Sequence, residues 1–269
     1  MRPAVRREAI ARIVAGAGQA TVEELAQQLG SSRETIRRDL AVMDQDGLIR
    51  KYHGGARAKE TAATAEMTES RFETRMDENL RGKQALGKKA AALFREGDVL
   101  FIDTGSTTVV FAEFLARLRG ITVITNSLRI AEIMGASNAG HRVFMIGGDY
   151  DADASENLGA LALQQIGQYH AEHAVLTVGS VHERGIRDFD LREAEIARAM
   201  ISNADRVTVL ADASKFTRPA IFDVAPIEKI DRIVTDVSPN IEMLKALELK
   251  GVSVISADQA LPGKRPNVK

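Results

Sequence analysis

Ser31-Ser32-Arg33-Glu34-Thr35-Ile36-Arg37-Arg38-Asp39-Leu40, continued by Met43, is the stretch that decides the amino-terminal fold. Ile36, Leu40 and Met43 recur at i, i+4 and i+7, so the segment reads as an amphipathic helix running to about Gln45 with one face turned to a core. Ser31 with Glu34 three residues on is a capping-box pattern at its start. The side chains left over, Ser32, Arg33, Thr35, Arg37 and Arg38, crowd the first two turns. A helix that reads DNA has this shape, because its amino-terminal half lies in the major groove, where hydroxyls and guanidinium forks meet phosphates and base edges. Arg37 and Arg38 alone would also suit an ordinary exposed helix, so the flanking sequence carries the choice.

Upstream, Ile10, Ile13 and Val14 predict a helix over residues 5–15, closed by Gly16-Ala17-Gly18. Thr21 with Glu24 is a second capping box, and Val22, Leu25, Ala26 and Leu29 supply an apolar face that Gly30 ends. Downstream, Gly47 closes the third helix. Leu48-Ile49-Arg50-Lys51-Tyr52 and His53-Gly54-Gly55-Ala56-Arg57 then read as two short strands around a glycine turn, a wing whose basic residues suit backbone phosphates. Residues 1–59 hold eleven Lys and Arg against seven Asp and Glu, a net charge of about +4, inside a chain whose overall charge is -1. The whole-chain figure therefore averages over segments that face different partners.

With 269 residues, 45% of them hydrophobic, the chain can bury two cores of ordinary size. Cysteine is absent, which excludes disulfides, thiolate metal sites and a cysteine nucleophile, and fits the cytoplasm. No apolar run reaches the roughly 18 residues of a membrane span, and the arginine-bearing start lacks the apolar stretch of a signal peptide, so no membrane partner is expected. The expected division is a winged helix-turn-helix over residues 1–59, a polar linker over 60–80 and an effector domain over 81–269.

From residue 83 onward helical stretches alternate with β-branched apolar runs at 99–102, 121–125, 143–146, 175–178, 207–210, 230–235 and 252–255. That alternation predicts an α/β domain with a mainly parallel sheet. Such sheets bind ligands beyond the carboxyl ends of their strands, so the residues after each run are the candidates. They are Asp103, Thr104, Gly105, Ser106, Thr107 and Thr108 after the first, Asn126 and Ser127 after the second, Gly147 and Gly148 after the third, Gly179 and Ser180 after the fourth, and Asp212 with Lys215 after the fifth. Strand-to-helix turns need Gly, Ser and Thr for capping whatever they bind. The 104–108 loop exceeds that need, with four hydroxyls around one glycine and no Walker lysine, and reads as a phosphate cradle. Asp190 and Glu193 open a helix through Met200 and are candidates for either capping or ligand contact.

These motifs resemble the DeoR family of repressors. The likeness is carried by Thr35-Ile36-Arg37-Arg38-Asp39-Leu40, by Gly47, Leu48, Arg50 and His53-Gly54-Gly55-Ala56, and in the second half by residues 103–108, Thr125-Asn126-Ser127, Gly147-Gly148, Leu210-Ala211-Asp212 and Ser214-Lys215-Phe216. Ser31-Ser32 stands where the family usually has valine-serine. The resemblance implies that Ser31, Ser32, Thr35, Arg37 and Arg38 face operator DNA and that His53, Gly54 and Gly55 form the wing tip. It also implies an effector domain similar to ribose-5-phosphate isomerase, with a phosphorylated ligand held by the hydroxyl loop. Within the family, residues 188–193 and 214–218 look most like glycerol-3-phosphate repressors.

The expected function is a homodimeric or homotetrameric repressor, without cofactor or metal, that leaves DNA when a phosphorylated sugar or polyol binds. A sugar-phosphate isomerase or deaminase with an accessory DNA-binding module is the alternative, since Asp190, Glu193, Asp212 and Lys215 include an acid, a base and a phosphate ligand. An architectural DNA binder whose α/β half only oligomerises is the third reading, and the hydroxyl loop speaks against it.

Overall fold

The computed structural model describes residues 3–17, 19–45, 48–52, 54–58 and 69–258. The chain forms two compact units, Met1–Ala65 and Glu66–Lys269.

The first unit contains α1 (Pro3–Ala17), β1 (Gln19–Thr21), α2 (Val22–Leu29), α3 (Arg33–Gln45), β2 (Ile49–Tyr52) and β3 (Gly55–Ala58). Its core is Ile10, Val14, Leu25, Ile36, Leu40 and Met43, all fully buried. Thr21 and Glu24 form the capping box of α2, and left-handed Gly30 closes that helix. The cap of α3 differs from expectation. Ser32, not Ser31, holds it, its Oγ accepting the Thr35 amide at 3.2 Å, while the Ser31 hydroxyl donates to the Leu29 carbonyl. The helix begins one residue later than a Ser31 cap requires, so Glu34 is left on the surface beside Arg38. α1 also runs on through Ala17, past the glycine expected to stop it. β1 was not anticipated, being too short to show alternation. It pairs with β3, which pairs with β2, in an antiparallel sheet of order β1-β3-β2. Gly47 and His53 lie outside the described residues.

Asp39, within α3, is buried and accepts from Arg6 Nε at 2.5 Å, with Arg7 at 3.8 Å. This pair ties α3 to α1. Asp39→Ala leaves the buried Arg6 guanidinium beside a methyl group, and the loss expected is about 3 kcal/mol. Urea unfolding of the variant, followed by circular dichroism, checks it.

The second unit is built on seven parallel strands, one for each predicted run: β4 (Val99–Ile102), β5 (Thr122–Thr125), β6 (Arg142–Met145), β9 (Ala171–Thr177), β12 (Ala204–Leu210), β14 (Arg232–Thr235) and β15 (Ser253–Ser256). They form one sheet of order β15-β14-β12-β9-β4-β5-β6. Alternate residues of β4 face opposite layers: Leu100 and Ile102 join one core with Phe72, Leu86 and Phe111, while Phe101 joins the other with Leu176, Ile196 and Met200. After β6 the chain returns to the far side of β4. The strand order therefore reverses between β4 and β9, which is where an open α/β sheet leaves a ligand crevice.

Two smaller elements were not read from the sequence. A hairpin of β7 (Asp149–Asp151) and β8 (Glu156–Leu158) is fastened over the end of β5, with the Leu128 amide on the Ser155 carbonyl and the Asn157 amide on the Asn126 carbonyl, each at 2.9 Å. An antiparallel sheet joins β10 (Ser180–His182), β11 (Gly185–Asp188) and β13 (Phe222–Pro226) in that order. The expected linker also ends early. Residues 69–80 belong to the α/β unit, where α4 (Phe72–Asp77) buries Phe72 completely and α5 (Leu80–Ala91) follows. The Phe72 amide donates to Asp153 at 3.0 Å, and the Arg129 guanidinium lies 4.6 Å from its ring centre. A single aromatic in a polar stretch is too sparse a signal for periodicity to register.

Candidate functional site

On α3, Ser32, Arg33, Arg37 and Arg38 are exposed and Thr35 is half-buried. Arg33 pairs with Glu23 at 2.8 Å and Arg38 with Glu34 at 3.5 Å, both on the surface. Exposed pairs of this kind are worth about 1 kcal/mol or less, so a DNA phosphate can replace either carboxylate at small cost. At the hairpin turn, Gly54 takes φ 104°, a conformation that favours glycine, and its carbonyl accepts the Val22 amide at 2.8 Å. The turn is thereby locked to the start of α2.

At the carboxyl ends of β4 and β12 lies a cleft of about 300 Å³, lined by Arg75, Lys83, Ser106, Asp212, Lys215 and Arg218 among others. Lys83 reaches it from α5 and donates to Ser106 Oγ at 2.9 Å and to the Arg75 carbonyl. Ser106 opens α6 (Ser106–Leu115), whose start has no side-chain cap, so its first amides point outward unclaimed by a capping side chain. Lys215 stands on a 3-10 turn, Ala213–Phe216, that Asp212 caps through the Ser214 amide at 2.9 Å. Lys83 is 3% exposed and Lys215 8%, which is rare for lysine and places two cations in the wall of one cleft. Burial pushes the Lys83 ammonium below its ordinary pKa. Behind the cleft wall, Glu69 is bonded to Lys215 at 3.1 Å and to Arg75. Burial opposes charge on Glu69, but the Lys215 and Arg75 cations hold its pKa below the usual value.

A second, much smaller pocket also borders the β4 loop, lined by Asp103, Thr104, Asn126, Glu156, Asp188, Glu193 and Ile196. Burial pushes Asp188 and Glu156 each up to about 7, and pushes Asp103 and Glu193 well above the carboxylate range. Asn126 Nδ2 donates to Glu156 at 3.0 Å and to the Asn157 carbonyl at 3.2 Å, while its buried Oδ1 has no hydrogen-bond partner among the described residues. The pocket therefore presents protonatable carboxyls and one free amide oxygen, the groups that pair with hydroxyls. Among the described residues no cluster of His, Cys, Asp and Glu is arranged to hold a metal ion, and no helix is long and apolar enough to cross a membrane.

Residues 6–62 match the family described as the DeoR-like helix-turn-helix domain, and residues 78–237 match the DeoR C terminal sensor domain. The chain belongs to the DeoR family. DeoR relatives include the HTH-type transcriptional repressor CsqR of Escherichia coli K12, 28% identical over 93% of this chain and 94% of that protein. The glycerol-3-phosphate regulon repressor of the same organism is 28% identical over 92% and 96%, and the HTH-type transcriptional regulator GlpR of Haloferax volcanii 30% over 95% and 98%. Among solved structures, ribose 5-phosphate isomerase A of Methanocaldococcus jannaschii matches 52% of this chain and 55% of its own at 18% identity and TM-score 0.38.

In the DeoR sensor domain the residues singled out from the sequence divide between two cavities and the scaffold around them. Ser106, Asp212 and Lys215 line the cleft; Asp103, Thr104, Asn126 and Glu193 line the acidic pocket. Thr107 and Thr108 are buried and line neither, the Thr108 hydroxyl turning back to the Gly105 carbonyl at 3.0 Å. Gly105 is needed for packing, since a Cβ there would lie 1.9 Å from the Thr177 methyl. Both oxygens of Asp103 accept the Thr177 amide at 3.0 Å, strapping β4 to β9. Ser127 starts α7 (Leu128–Gly135). The Gly147 amide donates to Gln165 of α8 (Gly159–Ile166), and a Cβ on Gly148 would meet the Leu158 carbonyl at 2.4 Å. Gly179 packs against the Phe189 ring. Asp190 caps α9 (Leu191–Ser202) through the Arg192 amide at 2.7 Å. Sequence reasoning missed Glu69, Arg75, Lys83, Glu156, Asp188 and Arg218. Only Asp188 and Arg218 had a signal, in the family-like stretches 188–193 and 214–218.

Proposed function

We propose that this DeoR-family regulator is a repressor that grips operator DNA through α3 and the wing, and releases it when a phosphorylated sugar or polyol enters the sensor domain. The observation that carries the effector reading is that a cationic cleft and a carboxyl-lined pocket both border the loop after β4, at the switch point. A phosphate suits Lys83, Lys215, Arg218 and the open start of α6. Hydroxyls suit Glu156, Asp188 and Asn126, since a protonated carboxyl donates while a carboxylate or amide oxygen accepts. The glycerol-3-phosphate regulon repressor among the relatives makes glycerol-3-phosphate the first ligand to try.

Release follows from linkage: a ligand that binds the DNA-free conformation more tightly weakens operator affinity by at most that difference. Operator half-sites fit a homodimer or homotetramer, and light scattering at micromolar concentration tests this, a lone monomer counting against it. The protein acts in the cytoplasm and turns nothing over; pentose and hexose phosphates are expected to emerge unchanged from incubation with it.

The test is fluorescence polarisation on the protein's own upstream DNA with glycerol-3-phosphate and a panel of sugar phosphates titrated in. One of them is expected to reverse binding. Lys215→Ala is expected to raise the concentration required about 30-fold, the value of one charge-assisted hydrogen bond of roughly 2 kcal/mol, with operator affinity kept. Reversal at an unchanged concentration in the variant rules Lys215 out of the site.

A further inference from the structure

Glu69 has a position that the effector reading does not use. It lines neither cavity, yet it is bonded to two of the cations that line the cleft, Lys215 and Arg75, and lies within electrostatic reach of a third, Arg218. It also raises the pKa values of Asp188 and Glu193, which line the acidic pocket. A carboxylate bonded to these two cations thus neutralises the end of the site that would receive a phosphate. Without Glu69 the cleft holds the cations Arg75, Lys83, Lys215 and Arg218 against Glu78 and Asp212 alone. Glu69 also lies just after Ala65, where the chain passes from the DNA-binding unit into the sensor.

We propose that Glu69 is a built-in plug: its carboxylate occupies the anion position between Lys215 and Arg75, and the phosphate of the effector displaces it. This rests on the reading of the cleft as a phosphate site. The argument is charge exchange. A phosphate forms charge-assisted bonds with the same Lys and Arg donors and repels a carboxylate left among them. The ligand class follows from the displacement: an anionic head that replaces the carboxylate, so that an uncharged sugar or glycerol has no group to move the plug.

Calorimetric titration of the full chain with glycerol-3-phosphate, ribose 5-phosphate, inorganic phosphate and glycerol is the test, on wild type, Glu69→Gln and Lys215→Gln. Glu69→Gln is expected to bind the phosphorylated polyol or sugar at least about tenfold more tightly than wild type, Lys215→Gln to bind it more weakly than wild type by up to about 30-fold, and glycerol to bind none of the three. Hydrogen exchange on the wild type gives a second readout that does not depend on a variant folding. The ligand that binds is expected to speed exchange in the peptide covering residues 69–72. Equal affinity of wild type and Glu69→Gln, or unchanged exchange at 69–72 under saturating ligand, overturns the plug and leaves the phosphate site standing. Failure of every phosphate compound to bind both wild type and Glu69→Gln overturns the phosphate site and the plug together.

Discussion

Arg37→Ala combined with Arg38→Ala is expected to weaken operator binding by about 4 kcal/mol, near a thousandfold, because each guanidinium contributes roughly 1 to 3 kcal/mol when it meets a base edge. Both side chains are exposed on the second turn of α3, and neither is part of the first unit's core. Their removal should leave the unfolding temperature nearly unchanged, which separates this variant from Asp39→Ala. Salt dependence tells the two kinds of contact apart. An arginine on a phosphate contributes to counterion release, so its loss flattens the slope of log affinity against log salt by about one per contact and weakens all sequences alike. An arginine on a base leaves that slope in place and costs affinity only where its base is present. Single variants of Arg37 and Arg38, titrated against operator and scrambled DNA at two salt concentrations, assign each residue. Wild-type affinity in the double variant would remove α3 as the reading helix.

The legibility of the recognition helix and the obscurity of the sensor site have one physical cause. In α3 core and contact residues alternate within three turns, so Ile36, Leu40 and Met43 leave Arg37 and Arg38 conspicuous by position alone. The seven strands were visible for the same local reason, runs of β-branched residues between helical stretches. The cleft is assembled across the chain instead: Glu69 meets Lys215 over 146 residues of sequence, and Lys83 meets Ser106 over 23. Lys83 sits in a helix with Lys88 and Lys89, where a charged residue reads as solvated until packing buries it. The hydroxyl loop misled in the other direction. Four hydroxyls around Gly105 suggested one cradle, but a helix start turns successive side chains to different sides, so only Ser106 lines the cleft while Thr108 bonds back to the Gly105 carbonyl. The acidic hairpin of β7 and β8 has no apolar alternation to announce strands, and the carboxyl of Glu156 comes to the site because that hairpin folds over Asn126.

The acidic pocket makes the sensor domain more stable in mild acid than in mild base. Asp188 and Glu156 have ordinary pKa values near 4 in an unfolded chain and about 7 in the fold, where burial disfavours their charged forms. Between those limits the folded state holds more protons than the unfolded one, so stability falls as pH rises from about 4 to about 7. One group shifted by about three units corresponds to about 4 kcal/mol over the window, or about 10 °C in unfolding temperature for a domain of this size. Glu69 acts in the opposite sense: its lowered pKa gives a contribution present above about pH 4.5 and lost in stronger acid. Calorimetric melts of the full chain from pH 4.5 to 8.5 are expected to show the sensor transition dropping through this range while the helix-turn-helix transition stays level. Asp188→Asn removes one of these titrations, so it should raise the sensor transition at pH 8 and flatten its pH dependence. A sensor transition that holds constant from pH 5 to pH 8 in the wild type would mean that these carboxyls are charged and solvated in the fold, and the hydroxyl-binding role assigned to the pocket would lose its protonated donors.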